Sequence, residues 1–172
     1  MKKAISVCGL LILVAALTRC VRGPSGEESP EVGRLAPNFK LSDLSGRVVS
    51  LDQYRGKIVM LDFWATWCGP CRITMPVLEN LQKEYPKDLT LLAINVSEPR
   101  ELVRRYVDNQ KIASTVLLDE DGAVGEAYRS ESIPMQVLID QRGVVRRVTV
   151  GYSSRLADQL RSAIEQLRHQ DF

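Results

Sequence analysis

The 172-residue chain has little of what histidine-dependent or charge-driven functions need. Its one histidine, His169, stands three residues from the C-terminus. A Ser–His–Asp triad, a Cys–His dyad and a His-based zinc site each need a well-placed imidazole, which a terminal residue supplies poorly. Lys and Arg number 23 against 21 Asp and Glu, a net charge of +2. That balance argues against a nucleic-acid partner bound through phosphate neutralisation. No uncharged apolar run reaches the ~20 residues of a membrane span. The four cysteines are Cys8, Cys20, Cys68 and Cys71, so any thiol chemistry rests on these. With 45% hydrophobic and 26% charged residues, bulk disorder, collagen and a polytopic membrane protein are excluded. The length suits one core and hardly two.

The N-terminus reads as an address. Lys2 and Lys3 precede Ala4 to Thr18, which is charge-free and mostly apolar. That fits the apolar region of a secretory signal better than a membrane span. Leu17-Thr-Arg-Cys20 resembles a bacterial lipoprotein signal with Cys20 as the lipidated residue, although Arg19 stands where a small residue is usual. Cleavage after Ala16 or Thr18, and retention as an anchor, stay open. Residues 1–20 are therefore expected to be a signal, lipoprotein or anchor segment. Residues 21–33, rich in Pro, Gly, Ser and Glu, form a flexible tether. A single domain occupies 34–172.

Within that domain, Phe39–Leu41 and Val48–Ser50 suggest a hairpin. Lys57–Ala65 is almost wholly apolar and reads as a strand buried on both faces. Pro70–Tyr85 reads as a helix with Ile73, Val77, Leu78 and Leu81 inward, kinked at Pro76. A second buried strand over Leu89–Val96 precedes a helix over Glu101–Gln110, with Leu102, Tyr106 and Val107 on one face. A short strand at Val116–Leu118 and a helical turn at Ala123–Tyr128 come next. Met135–Ile139 and Val144–Val150 are strands joined by the turn sequence Asp-Gln-Arg-Gly. Arg155–Leu167 closes the chain with Leu156, Leu160, Ile164 and Leu167 on one stripe. This order implies an α/β fold with a mixed central sheet flanked by helices.

The chemistry sits where the first buried strand meets the next helix, at Trp64-Ala-Thr-Trp67-Cys68-Gly69-Pro70-Cys71-Arg72. A thiolate at Cys68 would meet unpaired backbone N–H groups and the favourable end of the helix dipole. That lowers its pKa and makes it the reactive thiol. Cys71, one turn on and more buried, is near enough to close a disulfide. Zinc needs about four ligands, and one Cys-x-x-Cys with no second pair supplies two. A structural disulfide closing so small a loop gains little. No metal and no cofactor are expected.

The run FWATWCGPCR resembles the active site of the thioredoxin superfamily. The stretch APNFKLSDLSGRVVSLDQYRGK is similar to the N-terminal hairpin of its TlpA/ResA-like extracytoplasmic thiol–disulfide oxidoreductases, and Leu91–Tyr128 to their central strand-helix insertion. The resemblance covers about residues 34 to 170. It implies a thioredoxin fold, proteins with disulfides as substrates, a bacterial cell-envelope location, association with the membrane through the N-terminal segment, and often a part in cytochrome c maturation. Carried over by position, Cys68 is the attacking and Cys71 the resolving thiol. Gly69 and Pro70 lie between them. Ile133-Pro134 resembles the cis-proline loop, whose backbone pairs with substrate. Trp67 offers an apolar docking face beside the disulfide, and Trp64 reads equally well as core. Asp62 matches the buried acid of thioredoxin proper, which exchanges protons with the resolving thiol. The TlpA/ResA-like group more often carries an acid three residues after the second cysteine, where this chain has Thr74. The proton carrier is thus expected on the strand rather than the helix.

A Gly-Pro pair between the cysteines resembles the reducing end of the superfamily. A reductant outside the cytosol implies a membrane-bound electron donor. The alternatives are a disulfide oxidase or isomerase, a peroxiredoxin-type peroxidase, and a non-enzymatic envelope binding module. The peroxidase pattern Pro-x-x-x-Thr-x-x-Cys is not met, because Thr66 is two residues before Cys68 and the proline is absent.

Overall fold

A computed structural model describes residues 31–170. The export segment 1–20 with its candidate lipidation site Cys20, and the tether as far as residue 30, lie outside the described residues. The elements are β1 (Lys40–Asp43), β2 (Val48–Ser50), a 3-10 turn (Leu51–Tyr54), β3 (Ile58–Trp64), α1 (Gly69–Glu84), β4 (Leu89–Val96) and α2 (Arg100–Gln110). β5 (Thr115–Asp119), α3 (Ala123–Ala127), β6 (Met135–Ile139), β7 (Val145–Val150) and α4 (Leu156–Arg168) complete them. One seven-stranded sheet runs β2-β1-β5-β4-β3-β6-β7. β3, β4 and β5 are parallel, while β6, β7, β1 and β2 join antiparallel. This is the thioredoxin fold, with the β1–β2 hairpin and the β5–α3 insertion added at one side of its sheet.

β3 is central because every residue in it is apolar except Asp62, and all seven are buried. Its side chains alternate between two cores. Val59, Leu61 and Phe63 meet Phe39, Val49, Tyr128 and Val124 on one face. Ile58 and Met60 meet Leu78 and Leu81 of α1 and Leu156, Leu160 and Ile164 of α4 on the other. Farther along that second face, Trp64 packs with Cys68, Cys71 and Met75 and with Val103 and Val107 of α2.

Two helical faces differ from the expectation. In α1 the buried residues are Cys71, Thr74, Met75, Leu78 and Leu81. Ile73 is 52% exposed and Val77 only half-buried. The inward stripe is set by Cys71, which must lie under the end of β3, and positions three and four residues apart follow it. In α2, Val103 and Val107 are buried while Leu102 is exposed. α1 runs unbroken through Pro76, whose missing N–H costs the bond to the Arg72 carbonyl on an exposed face.

The N-terminal lead-in is stitched to the far end of the sheet. Gly33 N–H donates to the Val145 carbonyl (2.8 Å), Val145 N–H to Arg34 (2.8 Å) and Ala36 N–H to Gly143 (2.9 Å). The Tyr128 hydroxyl donates to the Pro37 carbonyl at 2.7 Å. Gly143, at φ +83°, turns β6 into β7 beside Arg55, whose Nη1 would lie 1.2 Å from a Cβ there.

Leu78→Ala, at a fully buried position between β3 and α4, is expected to cost about 3 kcal/mol. Ile73→Ala should stay within about 0.5 kcal/mol. Urea unfolding of both variants checks this, and equal costs would contradict the assigned helix face.

Candidate active site

β3 ends at Trp64, and the chain turns through Ala65, Thr66 and Trp67 into α1. Cys68 N–H closes the turn on the Ala65 carbonyl at 3.1 Å. Cys68 is the N-cap of α1, in extended conformation, and its Sγ accepts the Cys71 N–H at 3.2 Å. A cap residue normally offers an oxygen to one of the unpaired N–H groups of a first helical turn. Here sulfur fills that place, so a Cys68 thiolate would form on a helix donor and at the positive end of the dipole. Gly69 and Pro70 supply the exposed first turn, where proline loses no helical hydrogen bond.

Cys68 and Cys71 are joined as a disulfide with their Cα atoms 5.3 Å apart. They are 3% and 2% exposed. The expected difference in burial is therefore absent. The helix start distinguishes them instead, since the Cys71 N–H points at the Cys68 sulfur.

Around the disulfide, Trp67 is 70% exposed while Trp64 is fully buried and tilted against Tyr106 at 5.5 Å between ring centroids. The Ile133–Pro134 bond is cis. Ile133 packs against the cluster that holds both cysteines, and the Pro134 carbonyl accepts Gly151 N–H at 2.7 Å. Cys71 also lines a groove between α1 and α2 with Trp64, Met75, Tyr106 and Ile112.

Asp62 is fully buried on the β3 face that carries Met60 and Trp64, the face turned to α1. Gln136, directly opposite on β6, donates Nε2 to Asp62 Oδ1 at 2.8 Å. Oδ2 has no hydrogen-bond partner among the described residues. Burial pushes the carboxyl up to about 7, against the smaller opposing pull of Gln136. A group poised there can take or give a proton near neutrality. Thr74 is fully buried and only returns its hydroxyl to the Cys71 carbonyl at 3.1 Å. Position 74 thus holds no group that titrates.

One residue at the site is missing from the sequence reading. Glu98, just past β4, is buried and reaches the redox turn from 32 residues away. Its Oε2 accepts Thr66 N–H and Asn95 Nδ2, both at 2.7 Å, and Oε1 accepts the Thr66 hydroxyl at 2.6 Å. The sequence signal for it is weak: an acid in a polar loop after a buried strand. Among the described residues, no group of three His, Cys, Asp or Glu side chains could hold a metal ion.

The AhpC/TSA family model matches residues 32–148. The thiol-disulfide oxidoreductase ResA of Geobacillus thermodenitrificans is 38% identical over 145 residues, covering 83% of each chain. A solved chain of Chlorobium tepidum, described as a thiol:disulfide interchange protein DsbE, superposes with a TM-score of 0.76 at 31% identity. That match covers 81% of this chain and 99% of the other. The exposed lipoprotein thioredoxin Etrx1 of Streptococcus pneumoniae gives 0.69 at 26% identity, covering 76% and 100%.

Asp62 also ties stability to pH. A carboxyl raised from 3.8 to about 7 by folding binds a proton more tightly in the native than in the unfolded chain. Its contribution is complete below about pH 4 and is lost as pH rises through 7. Asp62→Asn is therefore expected to gain on the wild type between pH 4 and pH 8 by on the order of 3 kcal/mol. Denaturant unfolding of the oxidised proteins at both pH values checks it, and a pH-independent difference would refute the assignment.

Proposed function

The chain belongs to the AhpC/TSA family and is a thiol–disulfide oxidoreductase, and we propose that it works outside the cytoplasm, reducing disulfides in other proteins. Cys68 caps α1 with its own sulfur, and that contact supports the choice of Cys68 as the attacking atom. In the reduced enzyme the Cys68 thiolate attacks one sulfur of a substrate disulfide. A Cys68–substrate disulfide forms, and the other substrate sulfur leaves as a thiolate. Cys71, deprotonated, then attacks Cys68 Sγ. The Cys68–Cys71 bond closes and the second substrate sulfur leaves. Two electrons and two protons pass to the substrate. The enzyme is left in the oxidised form found in the structure.

Asp62 is the group we assign to taking the Cys71 proton. It lies on the face of β3 turned to α1, is fully buried, and is poised at about 7. Trp67, Gly69, Pro70, Ile133 and Pro134 are the substrate-facing set: an exposed indole, an exposed first turn, and a cis-proline segment whose Ile133 packs against the cluster that holds the cysteines. An extended substrate segment would lie along Ile133–Pro134.

The reducing direction draws support from Gly69-Pro70. That pair occurs in thioredoxin, at about −270 mV, and differs from DsbA, at about −120 mV. Restoring the dithiol then needs a membrane-bound electron donor. The bacterial envelope as location draws on the apolar segment 4–18, on Cys20 as a lipidation site, and on the likeness to an exposed lipoprotein thioredoxin. Residues 34–172 would act as one domain on a tether, in the setting of cytochrome c maturation that the family resemblance implies.

Redox titration with thiol trapping is expected to give a midpoint near about −270 mV, and a value above about −180 mV would instead assign an oxidase or isomerase. Cys71→Ser should accumulate a mixed disulfide through Cys68, and Cys68→Ser should not. Asp62→Asn should slow disulfide exchange most near pH 7. An unchanged rate-against-pH profile would remove Asp62 from the mechanism.

A further inference from the structure

Glu98 is an acid that the exchange reaction leaves unused, yet it is built into the turn that holds the cysteines. β4 ends at Val96, and Ser97 takes a left-handed conformation at φ +56° with its N–H on the Asp119 carbonyl at 2.8 Å. L residues seldom adopt that conformation. Here it reverses the chain, and Glu98 comes back inside. Among the described residues its carboxylate receives three donors and no cation: Thr66 N–H, the Thr66 hydroxyl and Asn95 Nδ2. Asn95 is itself fully buried and pairs in register with Trp64 at the end of β3. Glu98 thus ties β4 to the two-residue approach to Cys68.

A neutral side chain could latch Thr66 as well. A buried carboxylate without a counter-ion is costly to keep, and its charge has an effect that a neutral latch lacks. Cys68 is two residues from Thr66, so its sulfur lies within roughly 10 Å of the carboxylate. At that range, with ordinary screening inside a protein, two negative charges oppose each other by up to about tenfold in an equilibrium constant. The start of α1 favours the Cys68 thiolate, and Glu98 opposes it. A disulfide couple becomes oxidising when its reduced form is stabilised, so opposition to the thiolate makes the couple reducing.

We propose that Glu98 is a positioning residue that fixes the redox turn through Thr66 and whose charge keeps the Cys68/Cys71 couple reducing. This rests on the thiol–disulfide reading above, and it adds what sets the direction of that reaction.

Glu98→Gln separates charge from latch. The amide oxygen can accept Thr66 N–H and Asn95 Nδ2, and the amide NH2 can donate to the Thr66 hydroxyl, which rotates to accept. The expected result is a three- to tenfold shift of the thiol–disulfide equilibrium toward the dithiol, about 15 to 30 mV more positive. The pH at which reduced Cys68 becomes reactive to iodoacetamide should also fall. Glu98→Asp keeps the charge and strains the latch, so it should lower the melting temperature while leaving the potential near that of the wild type. Arg72 and Glu79 on α1 and Tyr106 on α2 line the groove that Cys71 also lines, and Asp62 lies on the β3 face turned to α1, so the comparison is repeated in the Asp62→Asn background. A Glu98→Gln protein with unchanged potential and alkylation profile would overturn the proposal, whatever its melting temperature. Should that variant not fold, a Glu98→Asp potential displaced toward oxidising values overturns it, and an undisplaced one supports it. The wild-type potential tests the reductant reading, and the difference between variants tests this one.

Discussion

β3 is buried on both faces over its whole length, and the site depends on that. A strand enclosed by α1, α2 and α4 on one side and by α3 and the lead-in on the other cannot shift its register without moving apolar residues into the wrong core. Its end is therefore a fixed point, and from it the chain enters α1 after a turn closed by Cys68 N–H. The enclosure also sets the state of Asp62, because a fully buried carboxyl paired with Gln136 is desolvated, and that disfavours its charged form.

Two buried acids lie near the end of β3, Asp62 on the strand itself and Glu98 reaching the redox turn from beyond β4, and they differ in kind. Among the described residues Asp62 has one hydrogen-bond donor and one oxygen without a partner, so burial prevails and its proton is held to near neutral pH. Glu98 has three donors arranged around both oxygens. Thr74 on α1 carries no titratable group, so both of these acids belong to the sheet side of the site.

Much of this is legible in the sequence, and the rest is hidden for identifiable reasons. β3 stands out because Ile58-Val-Met-Leu has no polar interruption, and Asp62 stands out as the one acid between Leu61 and Phe63 in an otherwise apolar run. The Cys-Gly-Pro-Cys turn and the cis Ile133–Pro134 bond are carried by local motif and resemblance. α1 is recognisable as a helix, yet Ile73 and Val77 look as suitable for its inner face as Thr74 and Met75. The choice is made by Cys71, whose tertiary position rotates the helix. Leu102 and Val103 pose the same ambiguity on α2. Glu98 is hidden because the group it serves is 32 residues away, and nothing in Asn-Val-Ser-Glu shows that Ser97 will turn it inward. The equal burial of the two cysteines is hidden likewise, since it depends on how closely the turn packs against α2.

The stitching of Gly33–Ala36 onto Val144–Val145 has a mechanical consequence. Val145 pairs with Ile139, and Ile139 with Val59, so the lead-in is attached at the level where β3 begins. The disulfide lies past the opposite end, roughly 17 Å farther along the strand. A pull on the chain from upstream of Glu31 is borne by that short seam and passes into the base of the sheet. The cysteines sit at the opposite pole of β3, outside the path of that load. The sheet thus carries the seam at its foot and the two cysteines at its head.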